Sequence, residues 1–340
     1  MTIHAKTGAP ARRDWKVWGL DASVVVDDSE QLDAAEHAVR EVLDAVDLAC
    51  SRFRSDSELS LLRGRLAHGA TVSPMLATLV RAALQAAELS GGDVDPTLGN
   101  DLEALGYDRD IAQLQTFGTS SATVRVLRRP EPGWRRVALH DCRLTVPDDL
   151  TLDLGASAKA VAADLSAQRI EASLGTAVLV SLGGDLASAG RPRDDAWEVL
   201  VRDTADGPGQ QVRLAGGWAM ATSSTQKRRW MADGHHVHHI LDPRSGLPAA
   251  PVWRTATVVA PTCLRANALS TAAIVRGTQA VGWLAAQGAP ARLVDEAGRI
   301  HVTEAWPSEN GRGDERCSIT PCGLSAGSAG SSRLRCSPSP

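Results

Sequence analysis

Asp153, Gly155 and Lys159 fall together in the stretch Leu152-Asp-Leu-Gly-Ala-Ser-Ala-Lys-Ala160. After the glycine, Ala158, Val161, Ala162, Leu165 and Ile170 recur at three-to-four spacing, which predicts a helix. A helix start offers unpaired N–H groups and the positive end of the macrodipole, and a lysine one turn in adds a full charge. Such a combination suits a phosphate or a pyrophosphate. The plain alternative is an ordinary strand-to-helix turn at Gly155 with Lys159 in solvent. Short Gly-rich matches arise easily, so the segment gains weight only from others that fit the same chemistry.

Asn267 and Thr271 lie four residues apart on a predicted helix, so their side-chain oxygens share one face. Hard cations such as Mg²⁺ take oxygen ligands and keep water or phosphate in the remaining positions, and a carbonyl of the 155–157 turn would complete the set. The alternative has Asn267 capping the helix and Thr271 bonding back to a carbonyl. In His235-His-Val-His-His239, an extended chain points neighbours to opposite faces, so His238 and His239 cannot ligate one ion together. One of them, ahead of Asp242-Pro243 and Ser245-Gly246, suits a general base at neutral pH; a surface cluster before a turn is the alternative. Gly92-Asp-Val-Asp-Pro-Thr97 sets two acids at a turn, either to accept hydrogen bonds from a ribose or adenine or simply to cap it. Phe53 closes the first long helix, where it stacks on a flat ring or fills the core, and sequence alone favours the core.

The positioning elements follow from pattern. Residues 1–13 read as a loose leader, then come a strand at Ala22 to Val26 and a helix burying Leu32, Val39, Val42, Leu43, Val46 and Cys50. A second helix starts at Ser73-Pro74 and ends at Ser90-Gly-Gly92. Residues 114–136 read as a variable surface connection. Ala177 to Leu182 is an uninterrupted apolar run ending in Gly183-Gly184-Asp185, and Trp197 to Arg202 and Val252 to Val259 read as further strands. A last helix is expected from about Ala266 to Gln287. Helices and strands mix without a regular alternation, which points to an α+β fold. Residues 307–340 are rich in Ser, Gly, Arg and Pro and read as a disordered tail.

A net charge of −4 gives no reason to expect nucleic acid or an anionic membrane. No run is apolar enough to span a bilayer, and no apolar segment follows the basic N-terminus, so a cytoplasmic protein is expected. Six scattered cysteines make no disulfide framework. Cys50, Cys142 and Cys263 read as small apolar residues, and Cys317, Cys322 and Cys336 lack zinc-site spacing.

Taken together, Cys50-Ser-Arg-Phe-Arg-Ser-Asp-Ser-Glu-Leu59, the 92–97 turn, Leu152 to Lys159, Val180 to Asp185, His238 to Gly246 and Ala266 to Ala272 resemble the ApbE family of FAD:protein FMN transferases. The resemblance runs from about Trp18 to Trp306 and implies one domain over 14–306. The implied fold is α+β and T-fold-related, with mixed or antiparallel sheets flanked by helices. The implied activity is Mg²⁺-dependent transfer of the FMN half of FAD to a threonine or serine of a target flavoprotein, releasing AMP. By position, Trp18 and Phe53 would flank the flavin, Asp93, Val94 and Asp95 would line the nucleotide pocket, and Asp153, Lys159 and Ile240 would hold the FAD. Ala156 (through its carbonyl), Asn267 and Thr271 would hold the metal, with His239 as the base and Lys159 assisting. Many members carry aspartate at the position of Asn267, so a negative charge is missing and weaker Mg²⁺ binding is expected.

Three other readings stay open: an FAD-binding or storage protein, an FAD pyrophosphatase giving FMN and AMP, and a Zn²⁺- or Ni²⁺-binding module built on the histidine cluster. The acceptor motif expected of a target is Ser/Thr-Gly/Ser-Ala-Thr. Thr119-Ser-Ser-Ala-Thr123 resembles it, which raises self-modification at Thr123.

Overall fold

The computed structural model describes residues 10–107, 131–204, 207–232, 234–307 and 318–319. Eight strands form the central sheet: β1 (Ala11–Val17), β2 (Leu20–Val26), β3 (Val178–Leu182), β4 (Asp185–Ala189), β5 (Ala219–Ser224), β6 (Trp253–Ala260), β7 (Ala291–Asp295) and β8 (Ile300–Val302). Their order across the sheet is their order along the chain, and every neighbouring pair is antiparallel. The chain therefore builds the sheet as one long meander, with its helices inserted between hairpins. β1 begins at Ala11, inside the segment read as a leader.

Four long helices cover one face: α1 (Leu32–Cys50), α2 (Pro74–Ser90), α3 (Ala158–Leu174) and α4 (Cys263–Arg276). α3 lies on β3 and β4, α4 lies on β5 and β6, α1 packs on β1 and β2 beside α3, and α2 packs outside, against the other three helices. The other face is covered by a hairpin, Ala196–Arg202 with Gly209–Ala215. This double cover explains the apolar run of β3. Val178, Val180 and Leu182 enter the core under the helices, while Leu179 meets Val199, Val212 and Leu214 of the hairpin. A strand buried on both faces has no polar alternation to show, and each such Val or Leu contributes about 1.5–3 kcal/mol by leaving water.

The long last helix read from Ala266 to Gln287 is two pieces. α4 starts at Cys263 and stops at Arg276, and a short helix follows at Ala280–Ala286. The break is Gly277, whose φ of +55° no helix tolerates, and Trp253 Nε1 pins it by donating to the Gly277 carbonyl at 2.6 Å. Among the described residues no helix is long and apolar enough to cross a membrane. Thr119 to Thr123 and most of the connection at 114–136 lie outside the described residues, but Gly133–Arg136 forms a 3-10 turn with Gly133 buried. Within 307–340, Ser318–Ile319 pairs in parallel with Arg213 and Leu214.

Candidate active site

The foot of α3 is built by a short acid. The Asp153 carboxylate accepts the Gly155 N–H at 2.7 Å, closing the turn that starts the helix. Lys159, the second residue of α3, is not in solvent: its Nζ donates to the Gly155 carbonyl at 3.1 Å and lies 3.6 Å from Asp185 Oδ2. Burial pulls the Lys159 pKa down, Asp185 opposes this, and Arg228 adds to the depression. Asp185 opens β4 after the Gly183-Gly184 turn, opposite Leu182 and Ala221. A Cβ on Gly184 would sit 2.5 Å from the Thr222 carbonyl oxygen, so only glycine lets this turn approach β5 and fix Asp185 where it is.

α4 is capped twice at its N-terminus. The Thr262 hydroxyl accepts the Arg265 N–H at 3.2 Å, and the Asp164 carboxylate on α3 accepts those of Cys263 and Leu264 at 2.8 and 3.0 Å. The capping alternative for Asn267 is thereby corrected, because the residue lies inside the helix and is 6 % exposed. Its Nδ2 donates to Asp185 Oδ1 at 2.9 Å. A carboxylate only accepts, so the amide nitrogen must face it and the oxygen must turn away. That oxygen, Asn267 Oδ1, is buried without a hydrogen-bond partner. Thr271 shares a hydrogen bond with Ser223 on β5 at 2.9 Å, and Ser223 a second with Ser270 at 2.8 Å. Ala156 is exposed in the turn below.

An orphaned amide oxygen inside a protein costs about 1–3 kcal/mol unless a ligand meets it. Beside a hydroxyl and a buried carboxylate, it offers the all-oxygen chemistry of a hard cation. Among the described residues no group of three or more His, Cys, Asp or Glu that could hold a metal ion is found.

The two adjacent histidines have different surroundings. His238 ends the strand His235–His238 and is buried with its Nε2 3.1 Å from the Ala249 carbonyl, a structural contact. His239 comes next and is partly exposed, its buried Nδ1 lacking a hydrogen bond. Burial, then Arg228, Lys159 and His238, hold its pKa well below the ordinary histidine range, so the imidazole is neutral at pH 7 and able to accept a proton. Lys159, Asp185, Asn267, Thr271 and His239 thus gather where α3 and α4 meet β4 and β5. No local motif in the sequence marks Asp185 or Arg228 for a role here. The only signals were the acid after Gly183-Gly184 and the basic Lys227-Arg228-Arg229 before the hairpin.

The other expected residues have partners elsewhere. Asp93 pairs with Arg276 at 2.5 Å, near the far end of α4, and burial raises its pKa against that pairing. Buried Val94 donates its N–H to Ser90 Oγ at 3.0 Å. Asp95 caps its own turn, accepting the N–H and hydroxyl of Thr97 at 2.9 and 2.6 Å. Asp153 also pairs with Arg52 at 3.1 Å. Ile240 is buried against the α4 side of the sheet. Trp18 turns the β1–β2 hairpin with a φ of +49°, a strained setting for an aromatic residue. Phe53 does not fill the core: it is 44 % exposed, edge-on to Tyr107 at 5.7 Å with the Arg52 guanidinium 4.7 Å from its ring. Arg54 beyond it pairs outward with Asp47 and Asp56, which holds this end of α1 at the surface. A cavity of about 230 Å³ beside Arg52, lined also by Arg63, Glu103, Thr151 and Leu152, contains none of the expected site residues.

The chain is similar to known proteins. A FAD:protein FMN transferase of Salmonella typhimurium is 28% identical over 281 residues, covering 78% of this chain and 76% of that protein. One of Treponema pallidum is 31% identical over 266 residues, covering 73% and 72%. The crystal structure of the ApbE protein of Thermotoga maritima superposes with a TM-score of 0.73 at 26% identity, over 87% of this chain and 97% of that one. The apo flavinyl transferase ApbE of Pseudomonas stutzeri gives 0.70 at 24% identity, over 89% and 97%, a likeness of fold. The ApbE family profile matches residues 3–293. By this match over most of its length, and by relatives up to 31% identical, the chain belongs to the ApbE family.

Proposed function

We propose that this chain transfers the FMN moiety of FAD to a Thr or Ser hydroxyl of a target flavoprotein and releases AMP. The relatives named as FAD:protein FMN transferases support the reaction class. The observation that carries the reading to this chain is the convergence of Lys159 and the Asn267 amide on the Asp185 carboxylate, which leaves Asn267 Oδ1 unpartnered, with His239 near enough to Lys159 to feel its charge. His239 accepts the proton of the acceptor hydroxyl. The hydroxyl oxygen forms a bond to the FMN phosphorus, the P–O bond of the pyrophosphate breaks, and the departing oxygen stays with AMP. Lys159 and the N–H groups at the foot of α3 face the charge that develops on the phosphates, the contribution that dominates phosphoryl transfer. Asn267, Thr271 and the Ala156 carbonyl would hold a Mg²⁺ ion, which would supply further neutralisation of the pyrophosphate. Trp18, Phe53, Asp93, Val94, Asp95, Asp153 and Ile240 are proposed FAD contacts. The acceptor is a protein segment of the form Ser/Thr-Gly/Ser-Ala-Thr.

The test is incubation with FAD, Mg²⁺ and a domain carrying Ser-Gly-Ala-Thr, read by intact mass and AMP release. An FMN-sized adduct with matching AMP, lost with EDTA or in His239→Ala, is expected. Bound FAD without adduct or AMP would make the chain an FAD-binding protein, and AMP with free FMN would make it a pyrophosphatase.

A further inference from the structure

Asp185 is 3 % exposed and unusually placed. Its Oδ1 takes the Asn267 amide at 2.9 Å, its Oδ2 faces Lys159 Nζ at 3.6 Å, and the close Gly184 approach to the Thr222 carbonyl fixes the turn that leads into it. The Asn267 side chain is thereby locked with its oxygen outward, buried and unpartnered. An amide oxygen brings no net charge to a cation. A carboxylate hydrogen-bonded to the back of the same amide does, because it polarises the amide and places a full negative charge one side chain behind the ligand.

We propose that Asp185 is the positioning residue of the cation site: it carries the negative charge that Asn267 lacks and presents that charge through the Asn267 amide. Asp185 and Asn267 then form a matched pair, with one carboxylate and one amide sharing a hydrogen bond. This rests on the proposed transferase site only in so far as that site takes a divalent cation. The bland alternative makes Asp185 a counterion for Lys159 and nothing more.

Mn²⁺ binding to the full chain without FAD, followed by electron paramagnetic resonance, separates these possibilities and needs no turnover. Asp185→Asn should weaken Mn²⁺ binding about 10–100-fold, the usual cost of losing a partner behind a ligand, with its circular dichroism spectrum unchanged. Asn267→Asp should tighten binding, since the site then holds two carboxylates. The exchange Asp185→Asn with Asn267→Asp keeps the hydrogen bond with its direction reversed and should return the affinity to that of the wild type. Should Asp185→Asn fail to fold, the exchange variant still decides, because it must bind clearly more weakly than Asn267→Asp alone. Asp185→Asn binding as tightly as wild type, or the exchange variant as tightly as Asn267→Asp, would overturn the role of Asp185 and leave the cation site standing. A wild-type chain that takes up no Mn²⁺ would overturn the cation site itself.

Discussion

The central sheet carries two contrasting acids, Asp185 at the start of β4 and Asp295 at the end of β7. Asp295 is saturated. Its Oδ1 accepts the N–H groups of Ala297 and Arg299, both at 2.9 Å, and its Oδ2 meets Arg299 Nε at 2.8 Å and His301 Nε2 at 3.2 Å. Desolvation pushes its pKa up, but the backbone and side-chain bonds outweigh that and hold it at about 2. Asp185 has an amide and a lysine for partners, and the amide it fixes is left with an orphaned oxygen. The same side chain in the same sheet closes a turn in one place and in the other passes an unmet polar demand to its neighbour. Folding alone has no use for the second arrangement, since a buried unpaired oxygen opposes it. A ligand gives it one.

The comparison breaks first at Lys159. Lys159→Met removes the ammonium that faces Asp185 and, in the proposed reaction, the phosphate charge. The transfer rate should fall about 10²–10³-fold, the scale on which losing one preorganised charge partner is felt, while the circular dichroism spectrum keeps its helical content. A rate within a few-fold of wild type would make Lys159 a structural counterion and remove the main reason to separate this acid from Asp295.

The paired histidines sharpen it next. His239 is depressed by burial and by the cations Arg228 and Lys159, and His238 by burial. Both are neutral when folded and take protons at about pH 6.5 when unfolded. Below that pH the unfolded chain binds more protons, so their contribution to stability is complete above about pH 6.5 and is lost as pH falls through the folded values. Melting temperatures at pH 7.5, 6.5 and 5.5 should decline in that order. The acid limb of the transfer rate should lie below the ordinary histidine range, because the base stays unprotonated further down. A limb centred at or above pH 6.5 would deny His239 that role. His238→Asn should flatten the stability slope and move the limb only slightly upward, since His238 contributes least among the groups that depress His239.

Smaller effects are expected at Ser223, whose hydroxyl holds both Ser270 and Thr271. Ser223→Ala should cost about 1 kcal/mol of stability and raise the Mg²⁺ concentration needed for half-maximal transfer by a few-fold. Unchanged Mg²⁺ dependence would place Thr271 outside the cation site.

Much of this was legible in the residues, and the failures have physical reasons. α1, α2 and β3 declare themselves because each buries a periodic face or a continuous run. β1 does not: Ala-Arg-Arg-Asp-Trp-Lys-Val is an edge strand, largely exposed and charged, held by its ladder to β2 and by Arg13 pairing with Asp33 and Glu36 on α1. Lys159, His239 and Asn267 stand out in the sequence as local motifs. The role of Asp185 does not, because it comes from a contact between residues 82 positions apart that no spacing within a segment can reveal. Phe53 misleads for a similar reason, since the ion pairs of Arg54 with Asp47 and Asp56 hold the end of α1 at the surface and keep the ring out of the core.

The smallest effect tests the other half of the comparison. Asp295→Asn should leave transfer and Mn²⁺ affinity as in wild type, because every bond it loses belongs to the turn between β7 and β8 or to His301 on β8. The variant should melt at a lower temperature at pH 7, where the carboxylate is ionised and its bonds from Arg299 and His301 are charge-assisted. The folded pKa is depressed, so this stability is present above the unfolded value of about 3.9 and disappears as pH falls through about 2. The gap in melting temperature between variant and wild type should therefore close over that window. A gap that persists at pH 2 would mean the turn depends on the shape of the side chain and not on its charge. A loss of Mn²⁺ affinity would mean that the two ends of the sheet are coupled, and Asp185 could no longer be treated as the one acid among this pair that serves the site.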